Sequence, residues 1–204
     1  MLHWERLDTK HRLYPFAENL LHTAFPADER RDDAQQREYT DRKAEFSAYA
    51  LTDGDEPIGL ITCWHFCGDV SAKEPSAERT FPEFVYVEHL AVAPSKRNGG
   101  YGAEILRSLK ERHKGIIVLE VELPQDEMSR RRIAFYERNG FELCRLPYLQ
   151  PPYRPGDTPL PMHLMFHGTA SPAPIFNTIR DTIHRHVYGV ELLHVPSKQF
   201  DQQC

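Results

Sequence analysis

One stretch constrains this chain more than anything else in it. Val87-Glu88-His89-Leu90-Ala91-Val92-Ala93-Pro94 reads as a buried strand, Ser95-Lys96-Arg97-Asn98-Gly99-Gly100-Tyr101-Gly102 as a glycine-rich turn, and Ala103-Glu104-Ile105-Leu106 as the start of a helix. The first turn of a helix has four backbone N–H groups without intrahelical partners and lies at the positive end of the helix dipole, so it binds phosphate groups well. Glycines let the backbone come close to such a ligand. Lys96 and Arg97 add positive charge, and Arg97 can grip phosphate oxygens in a two-pronged contact. The spacing suits a diphosphate.

Other nucleotide-binding turns use the same physics, and the details separate them. The Gly-x-x-x-x-Gly-Lys-Ser/Thr of a P-loop is absent. The Rossmann pattern Gly-x-Gly-x-x-Gly fails because Ile105 stands where the third glycine is required. What remains is Arg-x-x-Gly-x-Gly at Arg97, Gly100 and Gly102, after a strand ending in Ala-Val-Ala-Pro.

The surrounding chain reads as alternating strands and helices. Residues 1 to 7 alternate like a strand, and Leu13 to Phe25 has helical spacing that Pro26 stops. A polar helix follows from about Asp32 to Lys43. Glu45 to Leu51 and Ile58 to Phe66 read as a hairpin about the turn formers of residues 52 to 57. Gly68 to Pro82 is expected to be a long loop. Phe84 to Val92, Gly102 to His113, Ile116 to Leu123 and Ser129 to Asn139 then give strand, helix, strand, helix, the last closed by Gly140. Phe141 to Arg145 and Met162 to Phe166 supply two short strands around a Pro-rich loop that holds Tyr148, Tyr153 and Arg154. Beyond it, Ile175, Phe176, Ile179, Ile183 and Val187 form a helical stripe. We therefore expect one α/β domain over residues 1 to 167 and a C-terminal extension over 168 to 204, with a helix at about 174 to 187 and a tail.

With its glycine-rich turn the sequence resembles the GCN5-related N-acetyltransferase (GNAT) superfamily, whose acyl-CoA signature is Arg or Gln, two residues, Gly, one residue, and Gly or Ala. A second segment, Arg132-Ile133-Ala134-Phe135-Tyr136-Glu137-Arg138-Asn139-Gly140-Phe141-Glu142, is similar to that family's helix leading into its late strands. The resemblance extends over roughly residues 1 to 167. It implies a mixed, centrally splayed β-sheet flanked by helices on both faces, and acetyl-CoA as acyl donor to an amine. One position departs from the family pattern. The helix often begins with an Asn that contacts the cofactor, where this chain has Ser129, whose hydroxyl can substitute.

Acyl transfer from a thioester to an amine needs a deprotonated amine, a stabilised oxyanion and a proton for the departing thiolate. By the resemblance, the backbone of Leu90 and Val92 binds pantetheine, with the Leu90 N–H toward the thioester oxygen and Ala91 between them. Lys96, Arg97, Asn98, Gly99, Gly100, Tyr101 and Gly102 hold the diphosphate, while Ser129 and Phe135 complete the cofactor-binding set. Glu88 is the candidate base, because strand alternation sets it beside Tyr86 and Leu90; the alternative is a Glu in a salt bridge at the sheet edge. His89 is expected on the opposite face as a hydrogen-bonded core histidine. Tyr136 is the candidate acid, with a buried structural aromatic as its alternative. The Pro-rich loop either walls the acceptor pocket or is simply packed.

Charge and cysteine content narrow the partners. A formal net charge of −5 gives no general attraction for nucleic acid and mildly favours a cationic substrate. No apolar run approaches the roughly 18 residues of a membrane span, and the N-terminus lacks the features of a secretory signal, so we expect a cytoplasmic protein with no membrane partner. Cys63 and Cys67, on one strand, would lie about 13 Å apart, too far for a disulfide, and the cysteines are expected to be small buried apolar residues. His184, His186 and His194 do not suit a metal site, since helical residues two apart point to different faces; no metal is expected, and these histidines are expected on an exposed or subunit-contacting helix. A homodimer through the C-terminal helix stays open. The rival to the enzyme is a non-catalytic acyl-CoA-binding or regulatory module.

Overall fold

The alternating N-terminus forms strand β1, Leu2–Arg6, which pairs antiparallel with β2, Phe46–Asp53. The computed structural model describes residues 2–67 and 82–190; most of the expected loop from Gly68 to Pro82, and the tail from residue 191 with His194 and Cys204, lie outside them. The expected hairpin is present, with β3, Glu56–Phe66, paired antiparallel to β2. Its turn passes through Gly54 at φ 59°, a left-handed conformation that glycine adopts without strain. Strand β4, Phe84–Val92, completes the order β1-β2-β3-β4. With helices α1 (Tyr14–Ala24), α2 (Asp33–Arg42) and α3 (Tyr101–Arg112), these strands make up a compact unit of residues Met1–Phe66 and Glu83–Ile117.

Each helix of this unit has a readable cause. Helix α1 buries Tyr14, Ala17, Leu20 and Leu21, and α3 buries Ile105, Leu106 and Leu109, both at helical spacing. Helix α2 buries only Gln36 and relies on its N-cap, where the Asp32 carboxylate accepts from the Gln35 N–H at 2.9 Å. The two faces of the sheet are covered by different helices. Trp64 meets the edge of Tyr39 on α2 at 5.6 Å, whereas a Cβ built on Gly59, an odd-numbered neighbour on β3, would approach Ile105 of α3 at 3.6 Å.

Strand β4 is not regular. Thr62 pairs with His89 and Cys63 with Val87, so Glu88 is an extra residue opposite no partner. Such a bulge re-aims the side chains around it. It also corrects the expectation that His89 faces away from Glu88: the imidazole Nδ1 lies 3.8 Å from the Glu88 carboxylate.

The second unit comprises Cys67–Pro82 and Val118–Cys204. It holds most of β5 (Ile116–Glu122), α4 (Glu127–Arg138), β6 (Glu142–Gln150), β7 (Leu160–His167) and α5 (Ala173–His186), with strand order β5-β7-β6. Among the described residues, seven strands and five α-helices form the expected mixed α/β fold. Helix α5, expected as an extension beyond the domain, belongs to this unit. It buries Phe176, Ile179 and Ile183, and the His184 imidazole, itself fully buried and not on an exposed face as expected, bonds through Nε2 to the Leu149 carbonyl at 2.9 Å.

Two further boundaries differ from the sequence reading. Helix α4 starts two residues earlier than Ser129, because Asp126 is its N-cap and Ser129 the third residue of a capping box. Strand β6 continues to Gln150 instead of stopping at Arg145: between the pairs Cys144 with Leu164 and Tyr148 with Met162, three residues stand opposite one, and Pro147, which has no N–H to donate, sits in that irregularity. Tyr148 is therefore a fully buried strand residue and not part of the Pro-rich loop. Cys67 lies just past the end of β3 and is exposed, while Cys63 and Cys144 are buried as expected. No helix among the described residues is long and apolar enough to cross a membrane.

Candidate functional site

The glycine-rich turn forms as its sequence demands. Asn98 takes φ 66° and Gly100 φ 82°, and Gly100 is the N-cap of α3. A glycine cap has no side chain to offer, and none caps this helix. The N–H groups of Tyr101, Gly102 and Ala103 consequently have no partner within the helix, and the preceding residues Arg97 to Gly100 are exposed. Arg97 is tied back through Nε to the Val92 carbonyl at 3.3 Å, which fixes its guanidinium at the turn. Lys96 pairs with Glu56 at 2.6 Å, and the Tyr101 hydroxyl donates to Asp53 at 3.0 Å. The turn is therefore braced on both sides against the β2–β3 hairpin, and part of the Lys96 charge is already used. Open helix N–H groups beside an oriented guanidinium are a set of donors that fits a diphosphate. Leading into the turn, Leu90 and Val92 are half-buried and Ala91 is buried.

Glu88 is far from a free carboxylate. Its side chain is shielded from solvent, and both oxygens receive the guanidinium of Arg31, Nη1 at 2.8 Å on Oε2 and Nη2 on Oε1. The Trp64 indole N–H adds a third bond at 3.1 Å. Burial alone would raise the pKa of this group, but the charge of Arg31, with the hydrogen bonds from Arg31 and Trp64, outweighs it and holds the carboxyl below its ordinary value. Arg31 is itself buried among rings, 4.8 Å from the centre of Tyr39 and 5.3 Å from Trp64. Sequence reasoning missed this arginine. The available signal was Glu88 itself, since a carboxylate inside an apolar strand needs a buried counter-charge somewhere in the chain.

His89 is fully engaged in the same layer. Its backbone N–H donates to the Thr62 hydroxyl at 3.1 Å, which leaves that hydroxyl to donate to Nδ1 at 3.1 Å and Nε2–H to donate to the Glu29 carbonyl at 3.1 Å. Burial lowers its pKa, which favours the neutral ring that this bonding describes.

In the second unit, α4 carries Phe135 and Tyr136 as adjacent half-buried residues whose rings meet edge to face at 5.2 Å. Tyr136 also meets Phe141 at 5.7 Å, and burial raises the pKa of its phenol. Ser129 is buried, and its hydroxyl is bonded to Asp126 in the capping box. Its place in the structure is at the start of the helix that presents the two aromatics. No group of three or more metal-ligating side chains occurs among the described residues.

Comparison with known proteins bears on the family and the fold. Residues 44–143 match the model of the acetyltransferase (GNAT) domain. A protein assigned to the GNAT acetyltransferase family from Bacteroides thetaiotaomicron is 43% identical, with 93% of this chain and 99% of that chain covered at a TM-score of 0.81. Two Arabidopsis thaliana structures share the fold at lower identity. NAA60, in complex with acetyl-CoA, is 15% identical over 82% of this chain and 98% of that chain, with a TM-score of 0.59. Naa50, in complex with the bisubstrate analogue CoA-Ac-MVNAL, is 17% identical over 81% of this chain and 99% of that chain, with a TM-score of 0.56. No curated protein matches the sequence. A cradle of open helix N–H groups behind Arg97, the matched domain and a similar chain that is covered almost throughout lead to one conclusion: this protein belongs to the GNAT acetyltransferase family.

Proposed function

We propose that the chain is an acetyl-CoA-dependent N-acetyltransferase that passes the acetyl group directly to a primary amine of a small molecule or protein in a ternary complex. The observation that carries this reading is the uncapped α3 N-terminus at Gly100, with Arg97 fixed beside it. In this reading the diphosphate of acetyl-CoA lies on residues Lys96 to Gly102. The backbone of Leu90, Ala91 and Val92 takes the pantetheine arm, and Phe135 packs against it. Ser129 contributes by fixing the start of α4.

In the reaction, the lone pair of a neutral amine attacks the thioester carbonyl, and the oxygen that becomes negative is held by the Leu90 N–H. The C–S bond then breaks, the nitrogen gives up a proton to water, and Tyr136 donates its phenolic proton to the thiolate before being reprotonated by solvent. The raised pKa of Tyr136 keeps that proton available. For Glu88, the Arg31 pair and the shielded side chain favour the alternative of a salt-bridged structural carboxylate over a side chain that takes the proton itself.

Calorimetry with acetyl-CoA tests the reading. The parent protein is expected to bind with micromolar affinity, and an Arg97→Glu, Gly100→Glu variant confirmed to be folded is expected to lose that binding. A parent that does not bind acetyl-CoA overturns it; binding without transfer to any member of a broad amine panel would instead favour an acyl-CoA-binding regulatory module.

A further inference from the structure

In strand β3 the residue that pairs with Val92 is Gly59. A Cβ placed there would stand 2.7 Å from the Ala91 carbonyl oxygen, well inside the roughly 3.3 Å at which carbon and carbonyl oxygen ordinarily meet. Its next neighbours, Ile105 Cδ1 of α3 and Leu51 Cδ1 of β2, would both lie at an ordinary 3.6 Å. Only one group therefore stands in the way of a side chain at this position, and it is backbone. The conformation of Gly59 does not itself demand glycine, since its φ is not positive. The close approach of β4 does.

The same contact fixes a direction. The Ala91 carbonyl points toward β3, and so does the Ala93 N–H, which donates to the Ile58 carbonyl at 2.8 Å. Ala91 and Val92 are joined by a trans peptide, in which C=O and N–H point opposite ways. The Val92 N–H is consequently aimed off the edge of β4 away from β3. In an extended strand the carbonyl of a residue shares the edge of its N–H, and the Val92 carbonyl there accepts from Arg97 Nε. Because the peptide is planar, a push on the Ala91 oxygen turns the Val92 N–H with it. The Leu90 N–H belongs to a different peptide, two back along the chain.

We infer that Gly59 is a positioning residue for the pantetheine arm of the acyl donor: its missing side chain lets the Ala91–Val92 peptide lie with its N–H where the arm can bond it. This deepens the acetyltransferase reading and rests on its placing of pantetheine along Leu90, Ala91 and Val92. Gly59 acts through that peptide and touches no substrate itself.

The test is calorimetric binding to the full chain of CoA and of 3′-phospho-ADP, which is CoA without the pantetheine arm. Gly59→Ala is expected to weaken CoA binding about tenfold, the worth of one hydrogen bond, and to leave 3′-phospho-ADP within about twofold of the parent. In turnover, KM for acetyl-CoA is expected to rise by a similar factor with little change in kcat, because the Leu90 N–H is not displaced. Adding Ile105→Val, which removes the methyl that the new side chain would only touch, is expected to restore nothing. CoA bound equally by parent and variant, an equal loss of both ligands, or recovery with Ile105→Val overturns the inference. A parent that does not bind CoA overturns the acetyltransferase reading along with it, so the two failures are distinct. Should Gly59→Ala not fold, nuclear magnetic resonance of the parent carries the test. The Gly59 Hα and Val92 N–H signals are then expected to shift together on adding CoA and to hold with 3′-phospho-ADP, and Gly59 signals that CoA leaves unmoved overturn the inference.

Discussion

Arg31 and Glu88, 57 residues apart in sequence, meet as a buried two-pronged ion pair that joins the segment between α1 and α2 to the bulge of β4. Removing one partner strands the other's charge away from water. Arg31→Met is expected to destabilise the protein by about 3–5 kcal/mol, while Arg31→Met with Glu88→Met should recover most of that loss, because the desolvation penalty then disappears with the charge. Chemical denaturation of the two variants and the parent checks this, and a double variant no more stable than the single one would mean that the pair is net stabilising in its own right.

Tyr136→Phe keeps the ring contacts with Phe135 and Phe141 and removes only the hydroxyl. A proton donor lost from the reaction costs roughly 10²–10⁴-fold in rate. We expect kcat to fall within that range with the affinity for acetyl-CoA unchanged. Since burial raises the phenol's pKa, the parent should hold its activity on the alkaline side up to or beyond the ordinary tyrosine range, and decline only as that proton is lost.

His184 offers a pH dependence that is separate from catalysis. Its Nε2–H is spent on the Leu149 carbonyl, its buried Nδ1 has no hydrogen-bond partner among the described residues, and burial lowers the pKa to about 4 from an ordinary 6.5. Protonation would place a charged N–H where the described residues offer no acceptor. Between those two values the unfolded chain binds more protons than the folded one, so stability falls as pH drops through this window and is level above it. His184→Gln, whose amide can still donate to Leu149, should remove up to one proton from the slope of unfolding free energy against pH.

Asp126 and Ser129 satisfy each other's backbone N–H groups at the start of α4. Asp126→Ala is expected to cost about 1 kcal/mol of stability. In thermal unfolding it should lower the midpoint by a few degrees, and with Tyr136 ten residues along the same helix, turnover should fall more than acetyl-CoA binding does.

The parts of this architecture that depend on local pattern were readable in the chain. The glycine turn, the stripe of α3, the hairpin and the order of elements follow from spacing that any window of a dozen residues displays. What escaped depends on residues that meet across long sequence distances. Nothing near Arg31 marks it as the partner of Glu88, and nothing near Glu120 announces the hydrogen bond it accepts from the Tyr188 hydroxyl, 68 residues away. The sequence pattern puts Tyr148 in a Pro-rich loop, whereas the sheet absorbs Pro147 in an irregularity and continues. Ser129 and His184 escape the sequence pattern for a similar reason, since a cap and a buried imidazole are defined by what they bond to.

The extra residue in β4 also sets the phase of everything after it. Tyr86 and His89 both look toward the α1–α2 layer, three positions apart where two or four would keep regular alternation, so Leu90 and Val92 present the opposite face from the one an uninterrupted strand would give them. Deleting Glu88 would restore regular alternation and leave Leu90 and Val92 on the face they already hold, but it would strand the buried Arg31 guanidinium without its carboxylate. An insertion or a second deletion elsewhere in β4 would instead shift the phase just ahead of the glycine turn. Gaps should therefore be tolerated in the loops on either side of this segment and not within it.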